Sequence, residues 1–421
     1  MVSAAGSGEI LFTPRIGALY GYSLLWALLA AVVLKWAINR EIGRFAVCTG
    51  RPIIDGLREL PGPVSWPLWL ILIPQLLVAV STIAGLASVA ASALSTVLPG
   101  GLAVLTTGSI AVAAAFVVLA RYRLVERVAV VLALTLGIAI VVTAVSVRPD
   151  PTELAAGLVP RWSADYRPSE VLPWLGFMLS GAAGLLWYSH WLPARGYGAA
   201  GARTQGVSDP RESSSEDRDR LRGWIRQMTL DNSVAVIGTL IITLGFLVLG
   251  TELFGPRGLT PEGPETARVL GELLAGVWGP IGFWFMIVAV FVGFWDTVLS
   301  DQDGFGRLFA RGFRLLGRYV LLIEETSDEE HLRRGFVIVV TGILPALLFL
   351  VVGEPLTLLV IAGAIEAAHI PVVALMTIIL NRRLLPTDLR PSPASLAMVG
   401  VAIVFFAGFA IVLVVGLGSQ T

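Results

Sequence analysis

Charged side chains and cysteine are both scarce in this chain. Asp, Glu, Lys and Arg make up 14% of the 421 residues, their formal charges cancel, and Cys48 is the only cysteine. One cysteine excludes an internal disulfide and a cysteine metal cluster, and the lack of a basic excess argues against nucleic acid as a partner. Because 56% of the residues are hydrophobic and the mean hydropathy is +0.80, the composition predicts an all-α, polytopic membrane protein.

Several motifs of enzymes and pumps are also missing from the sequence. There is no Gly-x-x-x-x-Gly-Lys-Ser/Thr loop, which excludes ATP-driven transport by this chain on motif grounds. There is no His-Glu-x-x-His or Gly-x-Ser-x-Gly motif of an intramembrane hydrolase. We therefore expect neither an enzyme nor a bound cofactor. The first residues, Met1-Val2-Ser3, also lack the basic region that is typical of a signal peptide.

Apolar runs of membrane-spanning length recur along the whole chain. Eleven are predicted, the first of them short, at 1–18, 19–38, 66–94, 101–120, 124–147, 170–194, 228–253, 275–299, 335–352, 356–380 and 393–418. If the N-terminus is cytoplasmic, the cytoplasmic gaps hold about four times as many Arg residues as the opposite gaps. The positive-inside rule then predicts an inner (plasma) membrane protein with a cytoplasmic N-terminus and an external C-terminus.

Two of these spans are interrupted by glycine. Gly6-Ser7-Gly8-Glu9 breaks the first, and Gly181-Ala182-Ala183-Gly184 breaks the sixth. Breaks at corresponding positions of two halves are typical of transporters with inverted repeats, whose substrate lies between the unwound segments. The prediction is one transmembrane domain, 1–421, with repeats at 1–147 and 170–385 and an extra helix at 393–418.

Two cytoplasmic gaps have a composition of their own. Residues 197–221 are polar and charged, which predicts a flexible loop. Residues 305–323 carry Arg307, Arg311, Arg314 and Arg318 at spacings of four, three and four, with apolar residues between them. This pattern predicts an amphipathic helix at the inner membrane surface.

Glu9 is the leading candidate for a cation ligand, because a carboxylate inside a broken span is costly to bury. The backbone at Gly6, Ser7, Gly8 and Gly181, with Gly184 beside it, would supply further oxygens. In the alternative interpretation, Glu9 only caps the half-helix that follows it.

Further candidates lie in spans 6, 8 and 10. Tyr188 and His190 follow the second break and are predicted to contact substrate, or else to belong to an aromatic belt near the membrane surface. Glu366 and His369 share a helical face and are predicted, with Asp296, to serve proton or ion coupling. Lys35 is predicted to reach the membrane surface and to take no part in transport.

Three short stretches, Gly21-Tyr22-Ser23-Leu24-Leu25-Trp26, Glu41-Ile42-Gly43-Arg44 and Thr49-Gly50-Arg51, resemble spans 1 and 2 of the Nramp family of divalent-metal transporters. Weaker resemblances to the same family occur near and within spans 9 and 10, at Arg333-Arg334, Pro345-Ala346 and His369-Ile370-Pro371. The resemblance runs over nearly the whole chain. It implies a LeuT-type fold of five plus five helices and transport of a divalent metal.

The chain departs from that family at both breaks. The family's Asp-Pro-Gly-Asn is replaced by Gly6-Ser7-Gly8-Glu9, and its Met-Pro-His by Gly184-Leu185-Leu186-Trp187. Loss of the thioether removes a soft ligand, so an all-oxygen site built on Glu9 would suit Mg²⁺ or another hydrated cation. Only five residues precede Gly6, where a half-helix needs about ten, and we therefore expect the true start to lie upstream.

The sequence leads to three hypotheses. The first is a secondary transporter of a divalent metal or other small cation, coupled to protons or ions, with its site at the two breaks. The second is a transporter of a small organic solute, such as an amino acid or amine, with an aromatic wall at Trp187, Tyr188 and Trp191. The third is a membrane sensor without transport. The partners are lipid and a small cation or solute, and the oligomeric state stays open.

Overall fold

The computed structural model describes residues 6–63, 65–119, 123–161, 163, 165–201, 210–317 and 328–418. These residues are almost entirely helical, with no strand among them. Eight helices are long and apolar enough to cross a membrane, and Leu102–Val118 is a shorter apolar helix. The helix-rich membrane architecture agrees with the sequence prediction, while several helix bounds differ from it.

The first half of the chain contains five principal helices. A π-helical turn at Gly8–Phe12 leads into the first of them. They are α1 (Thr13–Tyr20), α2 (Leu25–Thr49), α3 (Trp66–Leu94), α4 (Leu102–Val118) and α5 (Arg123–Ser146). Gly50 ends α2 in the left-handed conformation, with φ of 66°, which glycine adopts without steric cost. The helix thus runs well past the predicted span 19–38.

The second half contains eight further helices. They are α6 (Pro168–Phe177), α7 (Ala182–Ala194), α8 (Ser215–Leu249), α9 (Thr266–Leu316), α10 (Glu329–Ile338), α11 (Leu344–Val352), α12 (Pro355–Leu384) and α13 (Pro393–Gly418). Gly279, with φ of 62°, kinks α9 just before Pro280. A π-helical turn at Val339–Ile343 joins α10 to α11.

Two sequence predictions about the cytoplasmic gaps were wrong in part. The predicted loop 197–221 ends early, because α8 already begins at Ser215, where the Ser214 side chain caps it. The predicted surface helix at 305–323 is instead, as far as residue 316, the continuation of α9. Its apolar residues Phe305 and Leu308 are buried. The remainder of that predicted helix, from residue 318, lies outside the described residues.

The helices that carry the two breaks pack against the centre of the bundle. The long helix α9 packs along α3, and α12 packs between α3 and α6, while α2 contacts α7 and α8. Arg15 ties α1 to α6 through a two-pronged bond to Glu170, with N–O distances of 2.8 and 2.9 Å. Arg311 ties α9 in the same way to Asp55, at 2.9 and 2.7 Å. Bidentate pairs of this kind fix orientation as well as distance.

Candidate functional site

The second break lies a few residues earlier than its predicted position. Helix α6 ends at Phe177, Met178 to Gly181 are not helical, and α7 begins at Ala182. The prediction of 181–184 was therefore shifted, because Gly181 is the residue that precedes the new helix and residues 182–184 form its first turn. Leu179 has φ of 64°, an unfavourable conformation for a residue with a side chain.

Glu9 lies in the first described helical turn and bonds to the second break. Residues Ser7 to Tyr20 are helical, and the segment before Gly6, on which the predicted first break depends, lies outside the described residues. Its Oε1 accepts a hydrogen bond from the backbone N–H of Leu179 at 2.7 Å, and its Oε2 accepts one from the N–H of Gly6 at 3.1 Å. The side chain is 1% exposed. Each carboxylate oxygen retains a free lone pair, so Glu9 holds the strained Leu179 backbone and can still ligate a cation.

Glu366, in the middle of α12, places its side chain at the N-terminus of α7, the helix that follows the second break. Its carboxylate oxygens accept from the N–H of Ala183 at 3.1 and 3.3 Å. A Cβ at Gly181 would stand 2.6 Å from the carboxyl carbon of Glu366, so glycine leaves the space that this carboxylate fills. The positive end of α7 stabilises the negative charge.

Replacing Glu366 by glutamine is expected to lower thermal stability. One amide oxygen can still accept from Ala183, but the amide N–H₂ group then faces backbone donors, and losing a charged hydrogen bond costs about 1.5–3 kcal/mol. The melting temperature of the detergent-purified variant measures this. Glu354→Gln is the matched control, since Glu354 precedes the same helix α12 but is exposed. Equal melting temperatures for both variants would contradict the expectation.

Lys35 also points into the second break, which the sequence prediction missed. Its Nζ donates to the carbonyl oxygens of Gly176, Met178 and Ser180 at 2.8, 2.6 and 2.8 Å. The prediction that Lys35 reaches the surface was wrong because α2 continues to Thr49. Fourteen further residues at about 1.5 Å each place Lys35 roughly 21 Å from that helix end, beyond the reach of its side chain.

A cavity of about 220 Å³ lies between the helical turn that contains Glu9 and the second break. Among the described residues, four charged side chains line it, namely Glu9, Lys35, Asp301 and Glu366. Among its other lining residues, Thr82 Oγ1, Trp187 Nε1 and Tyr188 OH are buried and have no hydrogen-bond partner within the described structure. These groups can bond to water or solute in the cavity.

Most of the predicted substrate-contacting residues meet at this cavity. Gly6, Ser7, Gly181, Gly184 and Tyr188 line it together with Glu9. Gly8 does not line the cavity. A Cβ added to Gly8 would point at the backbone of Met178. Met178 is fully buried and is not among the lining residues.

Three other predicted residues lie away from the cavity lining. His190 is close enough to the Asp55–Arg311 pair to interact electrostatically with both. His369 Nδ1 lies 3.0 Å from Nε2 of Gln75, so its nearest polar partner is not Glu366. Asp296 is buried on α9. Sharing a helical face therefore did not bring Glu366 and His369 into one hydrogen-bonded pair.

Asp301 is a cavity residue that sequence reasoning passed over. Its side chain is buried and lines the cavity, although it lies beyond the end of the predicted span 275–299. The reason is again helix length, since α9 continues from Asp301 to Leu316. Unbroken helical spacing of apolar residues beyond position 300 is the signal that could have located it.

The charged groups do not form a ready-made transition-metal site. Within the described residues, no group of three or more His, Cys, Asp or Glu side chains has the proximity to hold a metal ion. The cavity lining instead has three carboxylates against one ammonium, an excess of two formal negative charges. Such a site attracts cations without enclosing a dehydrated ion in protein ligands.

Comparison with known proteins identifies the family of this chain. Residues 1–416 match the model of the Nramp family, described as natural resistance-associated macrophage protein-like. A divalent metal cation transporter of Deinococcus radiodurans is 33% identical over 150 residues, which is 34% of this chain and 33% of that protein. The chain therefore aligns with about a third of that relative's length. A protein of Pasteurella multocida is 26% identical over 75% of this chain and 69% of its own.

Solved structures agree on the fold. The Eremococcus coleocola manganese transporter superposes with a TM-score of 0.67 at 13% identity, over 98% of this chain and 83% of that one. MhsT in complex with L-phenylalanine gives a TM-score of 0.56 at 14% identity, over 98% and 96%. These likenesses show a LeuT-type helical fold. Taken with the family match over residues 1–416, they establish that the chain belongs to the Nramp family of membrane transporters.

Proposed function

We propose that this protein is a secondary transporter of a divalent cation, bound in the cavity between the two breaks. The observation that carries the proposal is the charge of the described lining. It has three carboxylates, Glu9, Asp301 and Glu366, and one ammonium group, Lys35. A divalent cation balances the two excess negative charges, whereas an anion would add to them. The metal transporters among its relatives support the same substrate class.

The lining chemistry favours a hard, hydrated cation such as Mg²⁺. The described residues around the cavity include carboxylate, amide and hydroxyl oxygens but no cysteine, methionine or histidine. Thioether and thiolate ligands select softer metals, while Mg²⁺ prefers oxygen and keeps several of its waters. Since a water occupies about 30 Å³ of liquid, a cavity of about 220 Å³ has room for an ion with a hydration shell.

The breaks allow the two halves of the site to move. In transporters of this architecture, one bundle of helices rocks against the rest around a central substrate. Glu9 bonds to Gly6 and to Leu179 in the unwound segment, and would hold these two parts of the site together around the ion. Among the residues predicted for coupling, Glu366 is the one that lines the cavity. We propose that it releases a proton when the cation binds and takes up a proton when the cation leaves. We propose in addition that the N-terminus lies on the cytoplasmic side of the membrane.

Proteoliposomes test the substrate directly. The purified chain is reconstituted with a Mg²⁺-sensitive dye inside, and influx is recorded for Mg²⁺, Mn²⁺ and Cd²⁺ at equal concentrations. We expect saturable Mg²⁺ influx that exceeds the influx of the softer Cd²⁺. Protein-free liposomes and Glu354→Gln serve as controls. Binding of Mg²⁺ without influx would contradict transport and favour a membrane sensor.

A small organic cation is the second candidate, and one observation favours it. Trp36, Trp187 and Tyr188 line the same cavity as the carboxylates, and aromatic faces attract ammonium groups. A thermal-shift series of amines against Mg²⁺ separates the two, because a ligand stabilises the folded state that binds it. Stabilisation by amines alone would replace the divalent-cation proposal.

A further inference from the structure

The chain uses lysine at a single position. Of its 30 lysine and arginine residues, only Lys35 is a lysine. All surface and interhelical cations of the chain are therefore guanidinium groups, including the Arg15 and Arg311 pairs. The exception stands in the middle of a membrane helix, at 2% exposure, where a charge is most costly.

The environment of Lys35 explains why this position needs an ammonium. An ammonium group has three N–H donors, and arginine spreads its donors over a planar fork. The three oxygens that Lys35 contacts belong to Gly176, Met178 and Ser180. They are carbonyls at and beyond the end of α6, where helix hydrogen bonding stops. Every donor of the ammonium thus meets one carbonyl of the break.

We propose that these three carbonyls form a monovalent-cation site that the chain fills with its own Lys35 ammonium. Carbonyls of an unwound membrane helix are the groups that hold small coupling ions in this architecture. Here the cation is tethered to α2, with the ring of Phe406 on α13 5.6 Å from Nζ. Glu9 and Glu366 lie near enough to interact with its charge.

One consequence rests on the proposed function above. Because the ammonium occupies the carbonyls of Gly176, Met178 and Ser180, the transported divalent cation is left with the carboxylate side of the cavity. A free monovalent ion has no vacancy to fill at the break. Divalent-cation uptake by the unmodified protein should therefore be equal in sodium, potassium and choline buffers.

The site itself is tested by emptying it and refilling it, independently of transport. Lys35→Ala removes the ammonium and leaves three buried carbonyls without donors. We expect its melting temperature to fall well below that of the unmodified protein, and to rise saturably with added methylammonium chloride. The unmodified protein should not respond, because its site is full. Tetramethylammonium, which has the charge but no N–H donor, should be ineffective.

Gln75→Ala is the matched variant, since it removes another buried polar side chain of the bundle, the partner of His369. Its melting temperature should be insensitive to methylammonium. The proposal is overturned if Lys35→Ala is as stable as the unmodified protein, if tetramethylammonium stabilises it equally, or if Gln75→Ala responds in the same way. Absence of divalent-cation uptake together with a methylammonium response would overturn the proposed function alone.

A measurement on the unmodified protein covers the case in which Lys35→Ala does not fold. Lys35 is the only lysine, so an acetyl-lysine located by peptide fragmentation in the mass spectrometer after treatment with acetic anhydride can come from Lys35 alone. An ammonium enclosed by three carbonyls should stay unacetylated in the folded protein and react after denaturation in SDS. Rapid acetylation of the folded protein would show that the ammonium leaves the site freely, contrary to the proposal.

Discussion

Substitution of Glu9 by glutamine is expected to weaken divalent-cation binding and transport by one to two orders of magnitude. The carboxylate accepts from Leu179 N–H at 2.7 Å and from Gly6 N–H at 3.1 Å. Glutamine has a single acceptor oxygen, so its amide N–H₂ group must face one of these two backbone donors. It also loses the charge of the proposed cation ligand, and a charged contact of this kind is worth about 1.5–3 kcal/mol, which corresponds to about 10- to 150-fold in affinity.

The measurement combines calorimetric titration of Mg²⁺ with influx into proteoliposomes. Glu9→Asp separates charge from reach, because it keeps the carboxylate but shortens the side chain by one methylene. It should recover less than full binding, since the two breaks are spanned by the longer side chain. Glu354→Gln, at an exposed carboxylate, should bind and transport like the unmodified protein. Unchanged affinity in Glu9→Gln would remove Glu9 from the site.

The position of the cavity could be predicted in part from the sequence because glycine-rich interruptions of an apolar run are local features. Gly6, Gly8 and Gly181 stand where an apolar run loses helix-forming residues, and the structure places two of them in the cavity lining and the third directly behind it. The second break was misplaced by a few residues. Leu179 is held in the left-handed conformation by the tertiary contact to Glu9, and such a contact is invisible in a local pattern.

The other charged residues of the site could not be found in this way. Lys35 was assigned to a membrane surface, and Asp301 was not singled out, because further charges follow each of them in the sequence. Those later charges lie on the same helices, α2 and α9, which extend beyond the membrane-length apolar run. Arg44, for example, continues α2 and pairs with Glu41 at 2.7 Å. Hydropathy locates an apolar run but does not give the helix length, which is set by packing and by pairs of this kind.

The predicted pairing of Glu366 with His369 on one face of α12 was not found in the structure. Glu366 and His369 are three positions apart on α12, yet they do not bond to each other. Glu366 accepts from Ala183 on α7, and Gln75 on α3 interacts with both Glu366 and His369. A spacing of three allows contact within the helix but does not require it. In a bundle where α12 packs against several helices, partners on those neighbours compete for each side chain. The neighbours are unknown until the topology is known.

Gly8→Ala is expected to disrupt the site through the backbone rather than through charge. A Cβ at position 8 would stand 2.7 Å from both Cα and N of Met178 and 2.8 Å from the carbonyl carbon of Phe177. These are backbone atoms, so no flexible side chain can move aside, and the two breaks must separate. Overpacking of this kind costs about 1–3 kcal/mol or more. The displacement would also lengthen the Glu9 bond to Leu179, so we expect a lower melting temperature and loss of divalent-cation influx.

Gly6→Ala supplies the matched control for the stability measurement. It makes the same chemical change two positions away, but nothing lies within 4 Å of the added Cβ. Alanine also restricts the unfolded chain more than glycine does, by about 0.4–1 kcal/mol, and this effect is common to both variants. The difference between their melting temperatures therefore isolates the contact between the breaks. If Gly8→Ala melted with Gly6→Ala or above it, the close approach of Gly8 to the Met178 backbone would be contradicted.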